Sequence, residues 1–93
     1  MKPAIDVKDI AKFRHSVIFT YSTEHLPKKD KVRFYYALKG RDGKTGIVKR
    51  CSIEQLGRTV LLVPVKFAQD AHEFLQYWKC EYQSREVLVK PKQ

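Results

Sequence analysis

The run 59–65, TVLLVPV, has no polar face. A strand of this kind needs cover on both sides or nearly so, and it therefore belongs inside a sheet. Directly after it, Phe67, Ala71, Phe74, Leu75 and Trp78 recur at helical spacing, with Gln69, Asp70, Glu73 and Gln76 on the opposite side. This spacing predicts the core helix. The segment 80–89, CEYQSREVLV, then returns to β character. A strand, a helix and a second strand joined by short loops make a βαβ unit, with parallel strands and a right-handed crossover.

Upstream, 31–39 reads KVRFYYALK and sets Val32, Phe34, Tyr36 and Leu38 at period two against Lys31, Arg33, Tyr35, Ala37 and Lys39. That alternation predicts a strand with one buried and one wet face. The segment GRDGKTG follows, with glycines at 40, 43 and 46, and then IVKRC, so 31–51 reads as a β-hairpin with a basic tip. The stretch 15–22, HSVIFTYS, predicts another strand. Two smaller expectations are a short N-terminal helix over 6–14, with Asp6 as its cap, and one helical turn over 52–57, with Ser52 as its cap. The expected fold is α+β, a single domain over 1–93. It has a mixed sheet of about five strands that includes the basic β-hairpin and the βαβ unit, with one long helix packed on one face.

Composition supports a folded chain, since 43% of the 93 residues are hydrophobic and 12% aromatic. No apolar run reaches the roughly 20 residues that a membrane span needs, and MKPAIDVKDIAK holds no signal-peptide core, so a cytoplasmic protein without membrane contact is expected. Cys51 and Cys80 are too few for a disulfide scaffold and form no CxxC pair, so two ordinary thiols are expected. The chain lacks Asn, holds one Met and is rich in Lys, a balance that leans toward a thermophilic source.

The net charge of +9 favours acidic partners, and its distribution says more. Between 28 and 50 stand nine basic residues, Lys28, Lys29, Lys31, Arg33, Lys39, Arg41, Lys44, Lys49 and Arg50, against two acids, Asp30 and Asp42. Clustered Lys and Arg neutralise phosphates and release counterions, which gives affinity without sequence reading. Tyr35 among them could stack on a base. These ten residues are the expected nucleic-acid-binding set.

Other chemistries find little support. Gly43, Lys44 and Thr45 resemble the end of a phosphate-binding P-loop, but the pattern needs glycine at Leu38 and a helix directly after the loop. His15, His25 and His72 fall in no nucleophile or metal-ligand pattern, and no carboxylates form a readable acid-base pair. No enzyme activity, cofactor or metal is expected.

The pieces KVRFYYALKGRDGKTGIV, LGRTVLLVP, FLQYW and REVLV together resemble, over 31–89, the small C-terminal module of archaeal nucleotidyltransferase-like proteins. The paired acids and Gly-Ser signature of the catalytic domain are absent, so the resemblance implies an archaeal accessory module and no activity. Two functions are thus expected. The first is a small basic protein that grips the backbone of DNA or RNA with low sequence specificity. The second is an accessory subunit of a larger polymerase, ribosomal or processing complex, acting mainly through protein contacts.

Overall fold

The computed structural model describes residues 12–43 and 45–90. Its elements are β1 (Arg14–Tyr21), α1 (Lys28–Lys39), the single-turn α2 (Ile47–Arg50), β2 (Glu54–Gly57), β3 (Val60–Pro64), a 3-10 turn (Val65–Phe67), α3 (Ala68–Tyr77) and β4 (Tyr82–Val89). The strands form one four-stranded sheet in the order β2-β3-β1-β4, and each neighbouring pair is antiparallel. The class is α+β as expected, but the sheet has four strands and is not mixed.

β3 lies inside the sheet, as its apolar run predicted, but the helices cover only one of its faces: Leu61 and Val63 are buried, while Val60 and Leu62 are half-buried. β3 and β4 do run parallel to each other, yet β1 is inserted between them. This is the split βαβ connectivity of ferredoxin-like domains. The insertion has a sequence cause: β1 carries Val17, Phe19 and Tyr21 inward and Ile18 on its other side, so it too gains from neighbours on both edges.

The expected basic hairpin is overturned. Residues 28–39 form a helix, and the IVKR of the supposed return strand is α2. Phe34 and Leu38, both fully buried, stand four residues apart on one helical stripe, whereas Val32 and Tyr36 are 47% and 46% exposed. Two surface apolar residues therefore completed a false period of two. The longest helix is this one, with 12 residues; the expected long helix is α3, with 10.

Residues 52–57 are also corrected, because 54–57 is the edge strand β2 and Ser52 does not cap a helix start. Instead, α2 and α3 end in the same closing motif. Ile53 N–H donates to Val48 C=O and Ser52 N–H to Lys49 C=O; Cys80 N–H donates to Leu75 C=O and Lys79 N–H to Gln76 C=O. This is the Schellman arrangement, and its left-handed residue is Ser52 (φ 54) in one case and Lys79 (φ 57) in the other. The expected N-terminal helix over 6–14 falls mostly outside the described residues, and Arg14 opens β1.

Both longer helices cover the same face of the sheet. Val17, Phe19, Tyr21, Leu61 and Val63 meet Phe34 and Leu38 of α1 and Ala71 and Leu75 of α3 in one core. Phe34 is its hub, with ring centroids 5.7 Å from Tyr21, 5.3 Å from Phe74 and 5.6 Å from Trp78. Burying a side chain of this size contributes roughly 1.5–3 kcal/mol. α1 sits toward β2 and β3, while α3 sits toward β4, where His72 Nδ1 and Tyr82 Oη lie 2.9 Å apart. His72 is half-buried, with its ring edge-on to Phe19.

Candidate nucleic-acid interface

Helical geometry redistributes the basic residues. At 3.6 residues per turn, Lys28, Lys29, Arg33 and Lys39 fall on the exposed arc of α1 together with Val32 and Tyr36. Lys31 and Tyr35, which a strand would have set beside Arg33, lie half-buried on the flank of the helix. Arg41, just beyond the helix, places its guanidinium 5.0 Å from the Tyr36 ring centroid, a cation–π contact that extends the charged face. Lys49 and Arg50 are exposed on α2, which packs against α1, and Lys44 lies outside the described residues.

No carboxylate among the described residues forms an ion pair with the exposed cations of α1; His15 with Glu86, at 3.1 Å, is a pair on the opposite side of the sheet order. Lys28 and Lys29 moreover occupy the first turn of α1, where the helix dipole already presents positive potential. Helix stability alone favours acids at such positions, and only Asp30 supplies one. The exposed side of α3 carries Asp70 and Glu73 instead, so the helical layer is basic on one side and acidic on the other.

The loop after α1 is closed by its glycines. Gly40 takes φ 84 and donates to Tyr36 C=O at 2.7 Å, ending the helix. Gly46 passes so near the helix end that a Cβ there would stand 2.3 Å from the Leu38 carbonyl oxygen. Asp42 accepts from both the backbone N–H and the hydroxyl of Thr45 at 3.2 Å. Residues 40–43 and 45–46 therefore fold back on a helix C-terminus; α2 does follow directly, which removes one of the two grounds against a P-loop, but Leu38 still stands where the pattern needs its first glycine.

An open groove of about 590 Å³ lies between the end of α1 and the β2–β3 turn, lined by Tyr35, Lys39, Gln55, Leu56, Gly57 and Arg58. Lys39 Nζ is 6.0 Å from the Tyr35 ring centroid. Leu56, 49% exposed, enters through a β-bulge: Gln55 pairs with Leu61 and Gly57 with Val60, which leaves Leu56 without a partner in the ladder. Arg58 is held by its backbone, whose carbonyl accepts the Tyr21 hydroxyl at 3.3 Å, while Tyr21 N–H donates to Thr59 C=O at 3.1 Å. Burial, with smaller contributions from Tyr35 and Cys80, pushes the Tyr21 phenol up to about 12, so it stays a donor across the physiological range. Arg58 and Leu56 were not among the expected site residues. Their sequence signal was the LGRT step between two β-type segments, a turn that was hidden by assigning 52–57 to a helix.

The sheet face opposite the helices offers no comparable chemistry among the described residues. Ser16, Ile18 and Thr20 of β1 and Val60 and Leu62 of β3 alternate with the core residues, so this face of the two central strands lacks the aromatic pair on which RNA-binding sheets stack bases. Cys51 and Cys80 are free and buried. Burial first, and then Asp70 with its carboxylate 3.9 Å from the sulfur, pushes the Cys51 thiol up; burial does the same to Cys80. Neither is disposed to act as a nucleophile. Among the described residues, no group of three or more His, Cys, Asp or Glu could hold a metal ion, and no helix is long and apolar enough to cross a membrane. Comparisons with protein-family models, curated proteins and solved structures return no match.

Proposed function

We propose that the chain binds DNA or RNA by its phosphate backbone, with little sequence selectivity, through the exposed face of α1. The supporting observation is that Lys28, Lys29, Arg33 and Lys39 line that face without a carboxylate partner among the described residues. Unpaired cations in a row keep their full charge for a polyanion, and each phosphate they neutralise releases counterions. Arg41 above Tyr36 and the neighbouring Lys49 and Arg50 widen the same basic surface. The test is a titration of labelled oligonucleotide at several salt concentrations. Four phosphate contacts give a slope of log affinity against log salt of roughly −3 for a single strand. A flat response, or no binding at low salt, rejects the reading.

A second reading is an accessory subunit that meets a protein partner in a nucleic-acid complex. It is favoured by Tyr77, 78% exposed at the end of α3, an aromatic of the kind enriched in interface hot spots. A partner recovered from the native source after nuclease treatment, and lost on Tyr77→Ala, supports this reading; loss of every partner to nuclease supports the first.

A further inference from the structure

We propose that the groove between α1 and the β2–β3 turn holds one unstacked nucleotide, so that the ligand is a single strand and not a duplex. This rests on the nucleic-acid reading and adds where the strand is gripped and in what form.

Three features converge on the groove. Its charge is one-sided: among the described residues Lys39 and Arg58 line it, and no acid does. By contrast, the cleft formed by Ser22, Glu24, His25, Lys79 and Glu81 carries two carboxylates, a poor setting for phosphate. Its apolar wall is built by a backbone irregularity. The bulge puts Leu56 outside the ladder and half in solvent, on the groove that Tyr35 also lines, and bulges re-aim side chains in this way next to functional sites. The third feature is Gln55, whose amide offers a donor and an acceptor of the kind that reads a base edge.

The groove's volume of about 590 Å³ falls within the roughly 300–1,000 Å³ typical of small-ligand sites. A base reaches such a concavity only when it has left its stack, which a single strand allows at little cost and a duplex resists. Lys39 belongs both to the groove and to the exposed arc of α1, so a backbone leaving the groove runs onto Arg33, Lys29 and Lys28. The 12-residue helix gives that track a length of roughly 18 Å.

The experiment compares the full chain and its Leu56→Ser variant in fluorescence anisotropy, using a labelled ten-nucleotide single strand and a blunt duplex of the same sequence at one salt concentration. The substitution changes no charge and sits at an exposed bulge, and a thermal melt checks that the fold is retained. The expected result is at least about ten-fold tighter binding of the single strand, a loss of about five-fold or more of that affinity on Leu56→Ser, and duplex affinity within two-fold of the original. Equal affinities for both forms, or a variant that leaves single-strand binding unchanged or weakens both forms alike, overturn this proposal while leaving backbone binding by α1 intact. Absence of binding to either form overturns both.

Discussion

The Tyr21 hydroxyl donates to the Arg58 carbonyl across 3.3 Å, joining the end of β1 to the turn that carries one of the groove's two cations. The phenol is raised from its ordinary 10.0 to about 12, mainly by burial, so the folded state favours its neutral form. A group raised on folding contributes stability that is complete below its unfolded value and lost as pH climbs through its folded value. Between pH 10 and 12, Tyr21 therefore adds a destabilising limb to the melting curve. Tyr21→Phe should cost roughly 0.5–1.5 kcal/mol at neutral pH and remove that limb. Thermal melts of both proteins from pH 8 to 12 check this, and parallel curves at high pH contradict it.

Gly46 is the tightest point of the basic loop. A Cβ would meet the Leu38 carbonyl oxygen at 2.3 Å and the Gly40 nitrogen at 2.4 Å, both backbone atoms that cannot swing aside. Gly46→Ala should destabilise the fold by about 1–3 kcal/mol or more. At Gly43 a Cβ meets nothing within 4 Å, but φ is 74, so Gly43→Ala costs only the left-handed penalty of roughly 1–2 kcal/mol. Denaturant unfolding of the two variants separates collision from backbone preference, and equal losses would refute the distinction.

These glycines also show how much of the chain was legible beforehand. β1 and α3 were readable because burial wrote an unambiguous period into them, Val17, Phe19 and Tyr21 at two and Ala71 and Leu75 at four, whereas β3 and β4 were readable from their β-type composition. Residues 28–39 carried both periods at once, since Phe34 and Leu38 satisfy either, and the exposed Val32 and Tyr36 tipped the reading to a strand. The decisive signs were the good helix formers Lys, Arg, Ala and Leu, followed by Gly40 as a stop. The basic character of 28–50 was visible from charge alone, but its shape was not. Placing Arg58 beside Lys39 required the sheet order, which no local pattern records.

Lys79 holds φ 57 at the end of α3, where glycine is the usual occupant. Lys79→Gly relieves the steric cost at the left-handed position and should stabilise the protein by about 1 kcal/mol, raising its melting temperature by a few degrees. An unchanged or lower melting temperature would show that the lysine makes up the difference elsewhere.

Cys51 and Cys80, 1% and 7% exposed, both have thiols raised by burial. Both should resist a thiol reagent in the native protein and react at the rate of opening, with fast labelling of two thiols only in denaturant. Rapid labelling of either in the native state would contradict its burial.

The sharpest separation of binding from folding lies in the first turn of α1. For an ordinary surface lysine, reversal to glutamate weakens a polyanion complex and leaves stability almost unchanged. Lys28 and Lys29 differ because they oppose the helix dipole. Replacing either with Glu puts an acid where the dipole favours one, so Lys29→Glu should gain roughly 0.3–1 kcal/mol of stability at low ionic strength. The same change should weaken oligonucleotide binding and lower the salt slope by about one or more. Lys39→Glu, at the other end of the helix, should weaken binding and also lose stability, because a cation suits the C-terminus. Melting and anisotropy on the two variants thus yield opposite stability changes with the same binding change. If Lys29→Glu melts higher and binds as before, the basic face of α1 is not where the polyanion sits.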